Sequence, residues 1–333
     1  MPVSAPRLTI VMPGFVPGAA AATDSTLSAP LRALLARADW TTGVPLVDAM
    51  LNRLGLAADT SLADLMALAD LDADAARGWL RADPVHLRAD AKLVMLLAPA
   101  RGDVGNDEAD DLLDALRSAM PEAEWRRGRA PDRWYARFDA PGATPRLGPA
   151  WLHGRSLTPF FPQDLAHRRW RQLTNEAQMV LHAAAANEQR TTPLNAVWLW
   201  GGGTAMARGE TAFAAVCGRD LLMAGAARTA GIPWQPALTP ATLDAALALG
   251  PLLVGCGALF GEAEPTSGDA SVLDDANTCA EWAWPALRAG RLDGIELIGE
   301  GLRGQATAGA RYRFWRRQLP GHFGDPHAVA ARL

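Results

Sequence analysis

Four short apolar runs, each ending in glycine, constrain this chain more than any other feature. They are Leu8-Thr9-Ile10-Val11-Met12 before Pro13-Gly14, residues 196–200 before Gly201-Gly202-Gly203, 251–256 around Gly255-Cys256-Gly257, and 294–298 before Gly299-Glu300-Gly301. Short apolar runs bounded by turn residues read as strands, and their lack of apolar/polar alternation places them under cover on both faces. Between them the apolar period becomes helical. Leu31, Leu34, Leu35 and Ala38 recur at the spacing of one helix face, with Ser28 as N-cap and Pro30 in the first turn. Further helices are expected over 45–54, 62–69 (capped by Thr60 or Ser61), 164–190, 220–229, 241–249 and 275–288, and a final strand over 311–315. Strands alternating with helices predict an α/β fold with a mostly parallel sheet sandwiched by helices. Ligands of such sheets bind beyond the carboxyl ends of the strands, so the four glycine exits are where chemistry is sought.

Residues 79–149 interrupt that rhythm. Two strands over 80–87 and 92–97 are joined by the polar Arg88-Ala89-Asp90-Ala91, and an amphipathic helix over 107–120 carries acids in its first turn, where the helix dipole favours them. A strand over 133–138 and a Pro/Gly-rich exit over 140–148 close the segment. This predicts a small α+β cap domain, 79–149, inserted into a core built from 1–78 and 150–333.

Composition removes several classes of function. A net charge of -4 leaves no basic surplus to neutralise a phosphate backbone, so nucleic acid is not an expected partner. No apolar run approaches the roughly 18 residues of a membrane span, and the apolar stretch before Pro13 is too short for a signal peptide. Cys217, Cys256 and Cys279 have no CxxC spacing, and their odd number cannot close a full disulfide framework; they read as small apolar residues in a reducing compartment. A cytoplasmic protein without a membrane partner is expected. Several tryptophans lie beside arginines, as in Trp125-Arg126-Arg127 and Trp315-Arg316-Arg317. They read either as indoles packed inward with guanidinium groups outside, or as an Arg/Trp contact surface.

Two segments carry a family resemblance. Asn175-Glu176-Ala177-Gln178-Met179-Val180-Leu181-His182 runs through Asn187-Glu188-Gln189-Arg190 and Pro193-Leu194-Asn195-Ala196 to Val197-Trp198-Leu199-Trp200-Gly201. It resembles the helix–loop–strand passage of archaeal-type cofactor-independent phosphoglycerate mutases. Gly78-Trp79-Leu80-Arg81-Ala82-Asp83-Pro84-Val85-His86-Leu87 resembles a family stretch whose arginine faces the substrate. Together the two look closest to the regulatory-protein RpfE family. The resemblance implies an alkaline-phosphatase-like core with an inserted cap, and a superfamily chemistry of phosphoryl transfer through two divalent metals and a Ser or Thr nucleophile.

The metal ligands of that chemistry do not carry over. Pro13-Gly14 stands where the family has Asp-Gly, and Ile298-Gly299-Glu300 where it has Asp-His. In Glu262-Ala263-Glu264-Pro265-Thr266-Ser267-Gly268-Asp269, Pro265 takes the place of an aspartate and Asp269 that of a histidine. No metal site and no cofactor are expected. Thr60-Ser61-Leu62-Ala63-Asp64-Leu65 matches the nucleophile segment, making Thr60 and Ser61 the catalytic candidates, although a helix N-cap explains both equally well. Ligand-binding candidates are Arg81 and Arg190, which can fork onto a carboxylate or phosphate, with His86, Arg88, His182, Asn187 and Asn195 beside them. The expected function is a catalytically degenerate phosphoglycerate-mutase-like protein in a regulatory role, binding a small phosphorylated or carboxylated metabolite or a regulatory protein partner. The alternatives are an active mutase or phosphohydrolase with a manganese or zinc site relocated to Glu262, Glu264, Asp269 and the histidines His322 and His327, and a pure protein-interaction module.

Overall fold

The computed structural model describes residues 7–17, 26–71, 78–90, 93–100, 102–188, 190–204, 210–258, 271–316 and 318–323. Chain contacts divide it into two units, 1–58 with 207–333, and 59–206, the second wider than the 79–149 insertion expected from sequence.

The first unit is built on a seven-stranded sheet in the order Trp234–Gln235, Ala215–Cys217, Leu252–Gly255, Arg7–Val11, Gly294–Gly299, Leu302–Thr307, Asp39–Thr42. The first five strands run parallel, and Leu302–Thr307 alone is reversed, pairing antiparallel with Gly294–Gly299 on one side and Asp39–Thr42 on the other. Residues 8–11 are buried throughout, as a strand covered on both faces requires. Leu8, Ile10 and Met12 share a core with Leu31, Leu34 and Leu35 of the helix Ala29–Arg37 and Cys279, Ala280 and Ala283 of the helix Val272–Arg288. Ser28 caps the first of these helices, its hydroxyl accepting from the Leu31 N–H, as its position before Ala29-Pro30 suggests.

Two sequence expectations change in detail. The final strand does not lie at 311–315. Gly299-Glu300-Gly301 closes a hairpin, with Gly301 at φ 67°, so the chain returns antiparallel as Leu302–Thr307. Residues Ala308–Tyr312 are then a 3-10 helix, and the alternating Tyr312 and Phe314 that read as a strand are surface side chains, 62% and 70% exposed. The run at 196–200 is a strand, but not of the parallel sheet: Ala196–Trp200 pairs antiparallel with Trp79–Asp90.

That pairing belongs to the second unit. The long strand Trp79–Asp90 pairs first with Trp134–Arg137, then with Ala196–Trp200 and finally with Leu93–Leu97, all antiparallel. Pro84, which has no N–H to give a ladder, faces only Val197 among the described residues. The helices Asn106–Ala119 and Arg168–His182 bury one stripe each, Leu112, Leu113 and Leu116 on the first and Trp170, Leu173, Ala177 and Leu181 on the second. The apolar patterns that predicted both helices contain these stripes, although the second helix covers Arg168–His182 rather than the expected 164–190, with 3-10 turns at Leu165–His167 and Ala185–Asn187.

Candidate functional site

In the first unit the carboxyl end of the central strand is closed by buried residues. Met12 N–H donates to Ile298 O at 2.8 Å, Gly14 takes φ 74°, and Glu300 N–H donates to Phe15 O at 2.8 Å. Pro13 therefore sits in a tight turn with no side-chain donor to offer. On one side, Arg219 and Asp275 form a buried ion pair at 2.5 Å, and the same Asp275 oxygen accepts the Gly257 N–H at 2.7 Å. Gly218 is required there: at φ 137° a Cβ would lie 2.6 Å from Gly255 O. Cys217, Cys256 and Cys279 are free and buried in the same neighbourhood. Burial, aided by Cys279, pushes the Cys217 thiol up to about 12. A hydrogen bond with Cys279, then burial, raises Cys256 well above the ordinary thiol range. Such thiols carry almost no thiolate and are poor nucleophiles.

On the other side lies Glu300, 8% exposed. Burial pushes its carboxyl up to about 7, against the opposing pull of hydrogen bonds from the Gly14 and Leu46 N–H groups. Its Oε1 has no protein partner among the described residues. It is a carboxyl that can exchange a proton near neutrality, but it stands alone: among the described residues no three His, Cys, Asp or Glu side chains come together as a metal-holding group. Residues 262–269 and His327 lie outside the described residues. His322 is placed, pairing with Val16 on the short strand Gly321–Phe323.

The second unit holds the candidates named from sequence, and it uses nearly all of them internally. Ser61 is the N-cap of the helix Leu62–Asp70: its hydroxyl accepts the Asp64 N–H at 3.1 Å and donates to Gly201 O at 3.4 Å. Thr60 is 1% exposed and bridges to Thr204. Asp64 in turn accepts the Trp79 N–H at 2.8 Å, fixing the start of the long strand. Arg81 is fully buried, ion-paired with Asp83, and lies 5.1 Å from the Tyr135 ring and 5.6 Å from that of Trp200. Trp200 Nε1 donates to the other Asp83 oxygen.

The loop between the helix Arg168–His182 and the strand Ala196–Trp200 is pinned by the next three. Asn187 donates to Leu181 O at 2.8 Å and Leu194 O at 3.1 Å, and accepts from Leu194 N at 2.8 Å. Arg190 Nη1 donates to both oxygens of Glu108, at 2.8 and 2.9 Å, and its Nη2 donates to Asp103. Asn195 accepts from Leu87 N at 2.7 Å and donates to Leu87 O at 3.0 Å, standing in for a strand neighbour. His86 contacts Pro193 O through Nδ1 at 2.8 Å; Arg88 is exposed against Met95; His182 is exposed at the end of its helix. The structure thus gathers Asn187, Arg190, Asn195 and His86 around one loop, while Arg81 and Ser61 stand in other parts of the unit's framework.

Sequence reasoning missed Arg219–Asp275 and a second buried pair, Arg133–Asp70 at 3.0 Å, where Asp70 also accepts from the Tyr135 hydroxyl at 3.0 Å. Partners 56 and 63 positions apart leave no spacing signal.

No family model matches the chain, and no curated protein matches it. Among solved structures it is similar to the PH0037 protein from Pyrococcus horikoshii, with a TM-score of 0.54 and 15% identity over 99% of this chain and 92% of that one. At that identity the likeness is one of fold. A cofactor-independent phosphoglycerate mutase from Thermoplasma acidophilum DSM 1728 aligns with a TM-score of 0.46 and 14% identity over 99% of this chain and 98% of that one, too distant for an argument to rest on it. No helix among the described residues is long and apolar enough to cross a membrane.

Proposed function

We propose that this chain is a catalytically degenerate, phosphoglycerate-mutase-like protein with an alkaline-phosphatase-like core, acting in a regulatory role by binding rather than by phosphoryl transfer. The observation that carries the reading is Pro13, buried in the turn at the end of the central parallel strand. Two-metal phosphoryl transfer needs carboxylate and imidazole ligands at such strand ends, and proline offers none. Glu300, at the end of the next strand, is a carboxyl, but among the described residues it belongs to no group of three His, Cys, Asp or Glu side chains that could hold a metal ion. The nucleophile candidates support the same view, since Ser61 serves as a helix cap and Thr60 is inaccessible.

Of the two kinds of partner expected from sequence, a regulatory protein is better supported than a small phosphorylated or carboxylated metabolite. Arg81 and Arg190, the groups suited to an anion, already face Asp83, Glu108 and Asp103. A protein partner has a surface to meet: Tyr312, Phe314 and Trp315 are all more than 60% exposed, and Arg313 and Arg316 tie that segment to Asp39. Exposed aromatic and arginine groups held in place suit recognition, because little order has to be gained on binding. A cytoplasmic setting fits the three free thiols.

The test is an assay of the full chain with 3-phosphoglycerate and either manganese or zinc, following 2-phosphoglycerate and free phosphate. No turnover above background is expected. Metal-dependent turnover that disappears in Thr60→Ala or Ser61→Ala would overturn the proposal and restore the active-enzyme alternative.

A further inference from the structure

The resemblance segment contains two polar residues that neither the fold nor the proposed function uses. Asn175 and Gln178 lie one helical turn apart on Arg168–His182, and the structure gives their carboxamides no protein hydrogen bond among the described residues. Both line an open groove of about 540 Å³ on the second unit, in which Asn175, Ala89 and Val94 are exposed. That size suits a small organic molecule, for which sites of roughly 300–1,000 Å³ are usual.

The walls follow from the local structure. Ala89 faces Val94 and Leu87 faces Leu96 across the antiparallel pair, so Leu87, Ala89 and Val94 share one face of the ladder. Arg88, opposite Met95, belongs to the other face and is thereby kept out. The chain then crosses over: Leu157 N–H donates to Val94 O at 2.7 Å, and Phe161 packs 5.0 Å from the Trp170 ring, closing a second apolar wall. Thr174 also lines the groove, but its hydroxyl donates to Trp170 O at 3.0 Å. The polar groups left for a guest are therefore mainly carboxamides, which both donate and accept. Among the described residues, no charged side chain lines the groove.

We propose that this groove is a binding site for an uncharged, largely apolar small molecule bearing an amide- or hydroxyl-like group that pairs with Asn175 and Gln178. A phosphate or carboxylate would meet no counter-charge among the described residues of the groove. The site thus selects against the anionic metabolite that the family resemblance suggests. It goes beyond the non-catalytic reading of the strand ends and does not depend on it.

Two dyes that share one ring system and differ in charge test this on the full chain: neutral N-phenyl-1-naphthylamine and its sulfonated counterpart, 8-anilino-1-naphthalenesulfonate. The neutral dye is expected to bind saturably at one site. Filling the groove with Ala89→Phe, or with Val94→Trp as an independent second variant, is expected to weaken that binding about tenfold or more, a loss of about 1.4 kcal/mol. Unchanged melting temperatures confirm that each variant is folded. The sulfonated dye is expected to show no component sensitive to either substitution. Absence of saturable neutral-dye binding, neutral-dye binding untouched by both substitutions in folded protein, or a sulfonated-dye component equally sensitive to them, would each overturn the proposal.

Discussion

Replacing Asn187 with alanine separates a structural from a ligand-binding reading of the resemblance segment. The side chain is 7% exposed and makes three hydrogen bonds, at 2.8, 3.1 and 2.8 Å, to Leu181 O, Leu194 O and Leu194 N. Each such bond contributes about 1 kcal/mol net, and stripping a buried backbone group of its partner costs about 1–3 kcal/mol. The expected destabilisation is about 2–4 kcal/mol, because three backbone groups lose their partner at once. Urea unfolding followed through tryptophan emission suits this region, where Trp170, Trp198 and Trp200 are buried. The midpoint falls at an unchanged m-value if only stability has changed. The corresponding drop in melting temperature is roughly 6–12 °C for a domain of this size. A change under about 0.5 kcal/mol, the ordinary scale of a surface substitution, would contradict a structural role for Asn187 and favour its being a ligand contact.

Arg81→Ala strips the buried Asp83 of its guanidinium partner and is expected to cost about 3–5 kcal/mol, read in the same unfolding experiment; a near-neutral result would mean that Arg81 is held for a ligand. Glu300 predicts a pH dependence. Its folded pKa of about 7 exceeds the ordinary 4.5, so its stabilising contribution is complete below pH 4.5 and is lost as pH rises toward 7. Relative to wild type, Glu300→Gln is expected to gain about 3 kcal/mol across that window, and a difference that stays flat with pH would contradict the shift. Cys217, Cys256 and Cys279 are expected to resist an aromatic disulfide reagent in the native protein and to react fully in denaturant; rapid native labelling would show that their burial is wrong.

Much of the fold was legible because its signals are local. The run Leu8-Thr9-Ile10-Val11 and the period of Leu31, Leu34 and Leu35 are properties of neighbouring residues, and they became the central strand and its covering helix. Partner choice was not local. Nothing in Val197-Trp198-Leu199-Trp200 distinguishes a strand in a parallel sheet from one pairing antiparallel with Trp79–Asp90, since both are buried. Segment 311–315 misled because alternating aromatic and basic residues mimic a half-buried strand, whereas here Arg313 and the neighbouring Arg316 bind Asp39, Arg311 donates to Arg288 O, and the aromatics face outward.

The candidate site was legible in residue type more than in use. Arg190 and Asn187 are residues that bind anions and hydroxyls well, but the same donors satisfy carboxylates and backbone groups of this chain. Sequence cannot tell whether a fork is already occupied. The groove beside Asn175 and Gln178 was invisible for a related reason: its walls come from a strand pair, a loop and a helix whose proximity no spacing records.

The proposed non-catalytic role requires that the strand ends around Pro13 and Glu300 hold no catalytic metal pair. Anomalous diffraction from crystals soaked in manganese and 3-phosphoglycerate tests it most directly. No anomalous peak is expected within coordination distance of the residues following Val11 or Ile298. Two peaks a few Å apart at those strand ends, with 3-phosphoglycerate bridging them, would contradict it.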